Sequence, residues 1–575
     1  MRLKISKSKN AASLYVIKSF RENGVNTSKV VETLGTEKEL REKLGGKDPY
    51  IWAKNYIEEL NRKEKENSRE IIARFSPVKQ IEKNQQNSYN GGYLFLQDIY
   101  YKLKLDTICK KISATSKITF DLNDVLKNLI YGRLIYPASK KATYELAARF
   151  IESPKFDIQH LYRSLDILSK NSDEIQASLY QNTKAVIPRN NKILFYDCTN
   201  FFFETEHEEG IKQYGVSKEH RPNPIVQMGL FLDGDGMPLT FSINPGNQNE
   251  QVSLRPLEKK IISDFNLSEF IVCTDAGLSS LANRKFNSVQ GRSFITTQSV
   301  KNLKDYQTEW ATDKSGWYLS GDKKGELHTI NGLDKGDEND RKKVFYKERW
   351  INEDGLEQRL IVTYCLKYDL YQKNIRNSQI ERALKALKKN PKLIDKKRAT
   401  DFKRFIESET ITNDGEIADT VIYSINQERI DKEAFFDGYY AVCTNLESEA
   451  SEIIKINKGR WEIEESFRIM KNEFKSRPVF LKRDERIKAH FLTCFISLII
   501  YRILEKKLND QFTCREITSG LRDMNFHDIK GEGYAPSYTR NDFTDALHDA
   551  FGFRTDYEII PRKNLKNILK ETKSR

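Results

Sequence analysis

Between residues 458 and 475 the chain reads KGRWEIEESFRIMKNEFK, with apolar side chains at Ile463, Phe467, Met470 and Phe474. That 4, 3, 4 spacing predicts a helix with one buried stripe. At about 100° per residue, Arg460 lies roughly 40° and Lys471 roughly 20° from Glu464, so the three share a face beside the stripe. Glu462 and Glu465 project roughly 100° or more away and read as solvent positions. Taken alone, the segment is an amphipathic helix carrying an i, i+4 ion pair.

A different pattern precedes it. ILFYDCTNFFFE at 193–204 is a continuous apolar and aromatic run, predicting a strand buried on both faces, with Asp197 in its downstream part. Runs at 226–232 and 238–243 flank Asp233-Gly234-Asp235-Gly236 and predict a hairpin. A further apolar strand at 270–273 ends in Thr274-Asp275-Ala276-Gly277. Two aspartates thus stand at or just beyond the ends of buried strands, the rim where open α/β sheets bind ligands. The alternative for each is a turn or a helix cap.

The remaining pattern divides the chain. Residues 1–62 contain a β-hairpin, 13–21 and 29–34 about the turn pair Asn23-Gly24, and 63–90 is a polar linker. Residues 91–190 turn helical, with Asp121 as a cap and Pro137 as a stop, and form a DNA-binding candidate or a plain helical packing unit. Residues 191–300 hold the strands just described. Residues 301–445 read as an inserted domain of short strands (317–320, 343–347, 359–365) and a very basic helical stretch at 372–405. That stretch is either a solvated face or a phosphate-contacting one. Residues 446–510 carry the helix at 458–475 and an apolar run at 491–504, and 511–575 form a basic C-terminal region.

Composition narrows the function classes. Lys plus Arg outnumber Asp plus Glu by 96 to 82, a formal net charge of +14, which favours a polyanionic partner. The seven cysteines form no CxxC pair, so neither a zinc ribbon nor a disulfide framework is expected, and a reducing cytoplasm fits. No apolar segment follows the basic N-terminus as a signal peptide would require, and the run at 491–504, which contains Arg502, is shorter than the roughly 20 residues that span a bilayer. It predicts a buried helix and no membrane partner. No Walker A or Rossmann glycine pattern is present, so no nucleotide cofactor is expected.

Asp197, Asp275 and Glu464 together are three carboxylates from two strands and a later helix. Such a set could hold two divalent cations about 4 Å apart, and hard oxygen ligands select Mg²⁺, with Mn²⁺ possible, over zinc. The pattern resembles the DDE transposases of bacterial insertion sequences, in the insertion-sequence-four superfamily with its Tyr-x2-Arg-x3-Glu-x6-Lys signature. Arg460, Glu464 and Lys471 match that spacing, while Asn457 stands where the signature has Tyr. The likeness extends to YDCTNFFFE, to GVSKEHRPNPIVQMGLFLDGDGMPLTFSINPGNQNE, to CTDAGLSS and, more weakly, to SKSKNAASLYVIKSF.

The resemblance implies a multidomain α/β protein. Its ribonuclease-H-like catalytic core would be interrupted by a largely β insertion and preceded by a helical module. It implies that Asp197, Asp275 and Glu464 bind the metals and that Arg460 and Lys471 hold DNA phosphate. Lys218, His220 and Arg221 are either further DNA contacts or a structural loop. The implied reaction is Mg²⁺-dependent cleavage of double-stranded DNA at terminal inverted repeats, then attack of the freed 3′-OH on target DNA, by a homodimer in the bacterial cytoplasm. Two other classes remain: a DNA-binding derivative that no longer cuts, and a metal nuclease without strand transfer.

Overall fold

The computed structural model describes residues 1–7, 11–22, 25–45, 48–67, 71–73, 75–322, 325–389, 401–411 and 420–574. They form two units, one of residues 1–85 with 529–532, the other of 86–528 with 533–575. In the first, β1 (Arg2–Lys7), β2 (Ala12–Glu22) and β3 (Val25–Thr36) make an antiparallel sheet in that order, followed by α1 (Glu37–Lys43) and α2 (Pro49–Asn67). The expected hairpin is thus part of three strands, and the Asn23-Gly24 turn lies outside the described residues. Helix α2 runs five residues into the stretch expected to be linker, ending at Asn67.

The second unit begins with β4 (Ser88–Asn90) and six helices: α3 (Tyr93–Lys102), α4 (Leu105–Thr115), α5 (Leu122–Ile135), α6 (Lys140–Ala147), α7 (Ile158–Lys170) and α8 (Ser172–Thr183). The Asp121 carboxylate accepts from Asn123 N–H at 2.9 Å to start α5, and the helix stops two residues before Pro137, as expected. Next come β5 (Ile193–Phe202), β6 (Ile225–Asp233), β7 (Pro238–Pro245), α9 (Leu254–Phe265), β8 (Ile271–Thr274), α10 (Leu281–Phe286) and β9 (Ser293–Gln298). The interval that follows holds α11 (Asp305–Thr312), β10 (Trp317–Leu319), β11 (Leu327–His328), α12 (Glu338–Lys342), β12 (Phe345–Glu353) and β13 (Leu356–Tyr364). It continues with α13 (Leu366–Lys389), the hairpin β14 (Ile406–Ile411) and β15 (Thr420–Ile425), α14 (Gln427–Ala434) and β16 (Tyr439–Thr444). Part of the basic stretch at 372–405, residues 390–400, lies outside the described residues.

Ten strands form one sheet in the order β11-β10-β12-β13-β16-β9-β8-β5-β6-β7. Strands β5, β8 and β9 run parallel, and β6 and β7 antiparallel beside β5. The expected insertion therefore lengthens this sheet through β10–β13, keeping only β14 and β15 as a sheet apart. The physical reason is edge pairing: β9 would be an open edge, and β16 and β13 satisfy its backbone groups and their own.

Alternation along β5 decides what each face meets. Leu194, Tyr196 and Cys198 join Leu257 and Ile261 of α9 in one core, while Phe195, Phe201 and Phe203 join the helical core on the other side. That larger core spans α3 to α7 and α17 (Asp484–Lys507), whose residues from Ala489 to Leu504 are all buried. By length and composition alone α17 could cross a membrane, and it is longer than the apolar run suggested, yet it is enclosed by protein. Thr493 and Ser497 donate to carbonyls one turn back, at 2.9 and 2.8 Å, so their hydroxyls are satisfied without water. Beyond it, α18 (Cys514–Asp523), β17 (Asn525–Ile529), β18 (Gly533–Pro536), α19 (Asp542–Phe551), β19 (Ile560–Pro561) and α20 (Arg562–Ser574) close the chain.

Candidate active site

Asp197 is mid-strand in β5 rather than at its end, but it stands one residue past the last parallel pair with β8, Tyr196↔Thr274. Asp275 is the residue after Thr274, so the two aspartates are neighbours across adjacent parallel strands. Period-two alternation puts Asp197 on the face of Phe195 and Phe201, and Asp275 on the face of Cys273, the sheet face whose apolar residues belong to the larger core. Asp275 also caps a following short helical turn, its carboxylate accepting from Ala276 N–H at 2.8 Å.

On that face lie α15 (Ala450–Lys458) and α16 (Trp461–Arg468). The single helix expected across 458–475 is broken at Gly459-Arg460. A Cβ on Gly459 would come within 2.8 Å of the Phe195 ring, so the close approach of helix to strand requires glycine there. A second departure follows α16: Phe474 N–H donates to Ile469 O at 3.0 Å, a π-helical turn over Ile469–Glu473. The apolar stripe survives both breaks, with Ile463, Phe467, Met470 and Phe474 all buried.

Arg460 opens α16 and lies between two acids, its Nη2 3.7 Å from Asp275 Oδ1 and 3.9 Å from Glu464 Oε1. Glu464 is 65% exposed, more than an edge-of-core position implies. Glu462, expected in solvent, is instead partly covered and 3.4 Å from buried Arg502, because α17, which also packs on β7, brings that arginine to it. Glu465 is also mostly covered, its side chain 23% exposed, and pairs with Arg468 at 2.8 Å. Lys471 points toward β5, donating to Thr199 Oγ1 at 2.7 Å and lying 3.3 Å from Glu219.

The loop between β5 and β6 supplies the rest. Lys218 donates to the Cys198 carbonyl and sits 3.4 Å from Glu250. Arg221 is exposed and stacks over Phe202 with its guanidinium carbon 4.1 Å from the ring centre. His220 is exposed with φ +57°. The structure therefore gathers Asp197, Asp275, Glu464, Arg460, Lys471 and Lys218 in one cleft, and leaves His220 and Arg221 on its outer loop. Glu219, paired with Lys471 and with Arg477, went unnoticed in the sequence, since nothing in SKEHRP separates a bridging acid from a solvated one. Tyr440 is the other omission. Its hydroxyl accepts from Asn457 Nδ2 at 3.0 Å and contacts Thr297 Oγ1 at 2.7 Å, so a phenol from β16 reaches the position where the signature's tyrosine is missing.

Electrostatics follow this geometry. Burial pushes the Asp197 carboxyl up to about 6, the charge of Asp275 adds to the rise, and Lys218 and Arg460 oppose it. Burial works most strongly against the charge of Arg460, but Asp275 together with Tyr440, Cys273 and Asp197 outweighs it and the guanidinium is held above its ordinary value. Lys471 is brought down to about 8 by burial and by Lys218, against the pull of Asp197.

The donor set consists of hard carboxylate oxygens on a face where Asp197 is costly to ionise without a cation, and in these respects it suits Mg²⁺ or Mn²⁺. The three carboxylates are not drawn into one tight cluster, since Arg460 takes up the space between Asp275 and Glu464. Among the described residues, the acid and histidine groups with donors all within 4.8 Å of one another are Asp322/Glu326/His328 and Asp545/His548/Asp556. The latter is already neutralised by Arg540 and Arg554, 2.7 Å from Asp545 and 2.6 Å from Asp556 respectively.

Comparison with known proteins agrees in kind. Among solved structures the chain resembles a cryo-EM structure of a piggyBac transposase synaptic complex with hairpin DNA, at 8% identity and a TM-score of 0.36, covering 84% of each chain. That likeness is too low to transfer any property. No curated protein matches the chain. The model of the transposase DDE domain matches residues 189–500, more than half of the 575 residues and the span that contains every cleft residue named above. On that match, the chain belongs to the family of DDE-domain transposases.

Proposed function

We propose that this protein is an insertion-sequence transposase that cleaves double-stranded DNA at terminal inverted repeats and joins the freed 3′-OH to target DNA. The observation that carries the reading is the placement of Asp197 in β5 and Asp275 just past the end of the adjacent parallel strand β8, facing a helix that brings Arg460 to both Asp275 and Glu464. The order β7-β6-β5-β8-β9, with β6 antiparallel to β5, supports a ribonuclease-H-like core. The matched signature spacing supports the insertion-sequence-four assignment.

In this reading Asp197, Asp275 and Glu464 hold divalent cations, Glu464 turning off Arg460 to do so. Bound there, the cations would activate the attacking water or 3′-hydroxyl and stabilise the leaving oxygen. Arg460, released from Glu464, binds a non-bridging phosphate oxygen. Lys471, fixed by Thr199, supplies a second cation along the backbone, and Lys218 and Arg221 extend the contact outward. The helical module at 91–190 and the basic α13 add sequence-independent affinity for the duplex. Two copies synapse the two ends, in a bacterial cytoplasm.

The test is to incubate the protein with Mg²⁺ and the DNA flanking its own reading frame and to map breaks at nucleotide resolution. Paired cleavage at inverted repeats is expected. Binding without breaks would identify a derivative that no longer cuts, and breaks without joined products would identify a nuclease.

A further inference from the structure

Away from the carboxylates, a cavity of about 550 Å³ opens between the end of α5, the start of α6, the segment 475–481 and α17. Its lining includes Arg133, Lys140, Lys141, Lys475, Arg477 and His490 and contains no acidic side chain. Two of these cations are interior. Arg133 is 3% and Lys140 5% exposed, and neither forms an ion pair among the described residues. Arg133 donates only to carbonyls, those of Phe474 at 2.9 Å, Lys475 at 3.3 Å and Ala138 at 3.3 Å, and its Nε is buried without a partner. Among the described residues, no hydrogen bond forms from the Lys140 amine. His490 adds no charge: its Nε2–H donates to the Ser476 carbonyl at 3.0 Å, and burial with Lys140 nearby holds the ring neutral.

Such an arrangement is unfavourable for the protein alone. Buried ions are normally paired, and one left without a counter-charge is strongly destabilising. Lys140 is also the first residue of α6, where the helix dipole disfavours a cation and favours an anion, although the Ser139 hydroxyl already takes the Ala142 N–H at 3.3 Å. Of the three cations at this cavity other than Lys140 and Lys141, Arg477 does have a carboxylate, Glu219, and that carboxylate also takes Lys471 at 3.3 Å. The cavity is therefore one side chain away from the cleft.

We propose that this cavity is a phosphate-binding pocket in which Lys140, Arg133 and the start of α6 bind a backbone phosphodiester of DNA running on from the cleft past Lys471. The shared chemistry is that of a phosphoryl anion, and a free phosphate would use the same groups. The continuity through Glu219 favours the DNA backbone as its source. The choice of DNA rests on the transposase reading, whereas the anion site does not.

The test uses the full-length chain and Lys140→Met, which keeps the length of the side chain and removes the charge. Inorganic phosphate, against chloride at equal ionic strength, is expected to raise the thermal midpoint of the wild type and not that of the variant. A midpoint of the variant without phosphate at or above the wild type's shows that it folds. Duplex binding by the variant is expected to weaken about tenfold, with the slope of log affinity against log salt reduced by about one. Equal phosphate shifts in both proteins, or none in the wild type, overturn the pocket. A lost phosphate shift with unchanged duplex affinity and slope overturns the DNA source and leaves a free-phosphate site. Failure of the transposase reading looks different: the wild type would cut no ends while the phosphate response persisted.

Discussion

The cleft and the cavity behind it are the same electrostatic problem with opposite signs. In the cleft, burial and a neighbouring like charge drive an acid toward neutrality, Asp197 rising to about 6. In the cavity, burial and the neighbouring Arg133 drive a base toward neutrality, Lys140 falling to about 7. The difference lies in compensation. The acids have cations of this chain within reach, Arg460 and Lys218, whereas Lys140, among the described residues, forms no ion pair and has Arg133 and a neutral imidazole beside it. In both regions a buried charge is costly to the protein alone, and in the proposed readings a metal would offset it in the cleft and a phosphate in the cavity.

The sharpest way to break that comparison is at the acids. Glu464→Gln or Asp275→Asn is expected to lower cleavage of end-containing DNA by about 10³-fold or more while duplex binding persists, read by gel assays of both; full cleavage in either variant removes the metal role.

Next in size is the stability effect of Lys140→Met. Lys140 has a lower pKa folded than unfolded, so the unfolded chain binds more protons between about 7 and its ordinary value of 10.5, and the wild type gains stability as pH rises through that window. Below about 7 the full cost of burial is present, on the order of 5 kcal/mol as an upper bound. The variant is therefore expected to be more stable than the wild type near pH 7, with the gap closing toward pH 10 in denaturant titrations. A gap independent of pH would mean that the amine is not the cause.

Asp197→Asn inverts the sign. A carboxyl raised to about 6 costs stability above that pH, and the cost fades as pH falls from 6 toward 3.8. In a chelator the variant is expected to melt higher than the wild type at pH 8 and no higher at pH 4. Added Mg²⁺ should raise the wild-type midpoint and leave the variant's unchanged, by differential scanning fluorimetry.

The smallest effect belongs to Lys471→Ala, which loses the bond to Thr199 and one cation. An affinity for cleaved ends about tenfold lower, with overall fold intact by circular dichroism, is expected. Unchanged strand transfer would move the phosphate contact elsewhere in the cleft.

Much of the cleft was legible in the chain because it depends on local pattern. The apolar run around Asp197, the strand ending before Asp275 and the stripe Ile463/Phe467/Met470/Phe474 indicated which elements carry which acids; the two strands form and the stripe is buried, although the helix carrying it is broken. Periodicity could not see the break at Gly459, which exists because Phe195 leaves no room for a side chain, nor the π-helical turn after α16. It also misplaced Glu462, because helical phase describes one buried face and α16 has two, one on β5 and one on α17.

The strands of the expected insertion show the same limit, since pairing partners far apart in sequence decided that they extend the main sheet. The amino-acid sequence by itself determined a basic protein with three acids in a defined order and a helix phased to present one of them. Only the tertiary structure decided that Arg460 lies between Asp275 and Glu464, that Tyr440 meets Asn457, and that Lys140 is enclosed. A lysine at a helix start reads as solvated until the segment after Phe474, 341 residues from Arg133 along the chain, is folded over it. Burial sets the energy of a charge, and burial is a property of which distant segments come together.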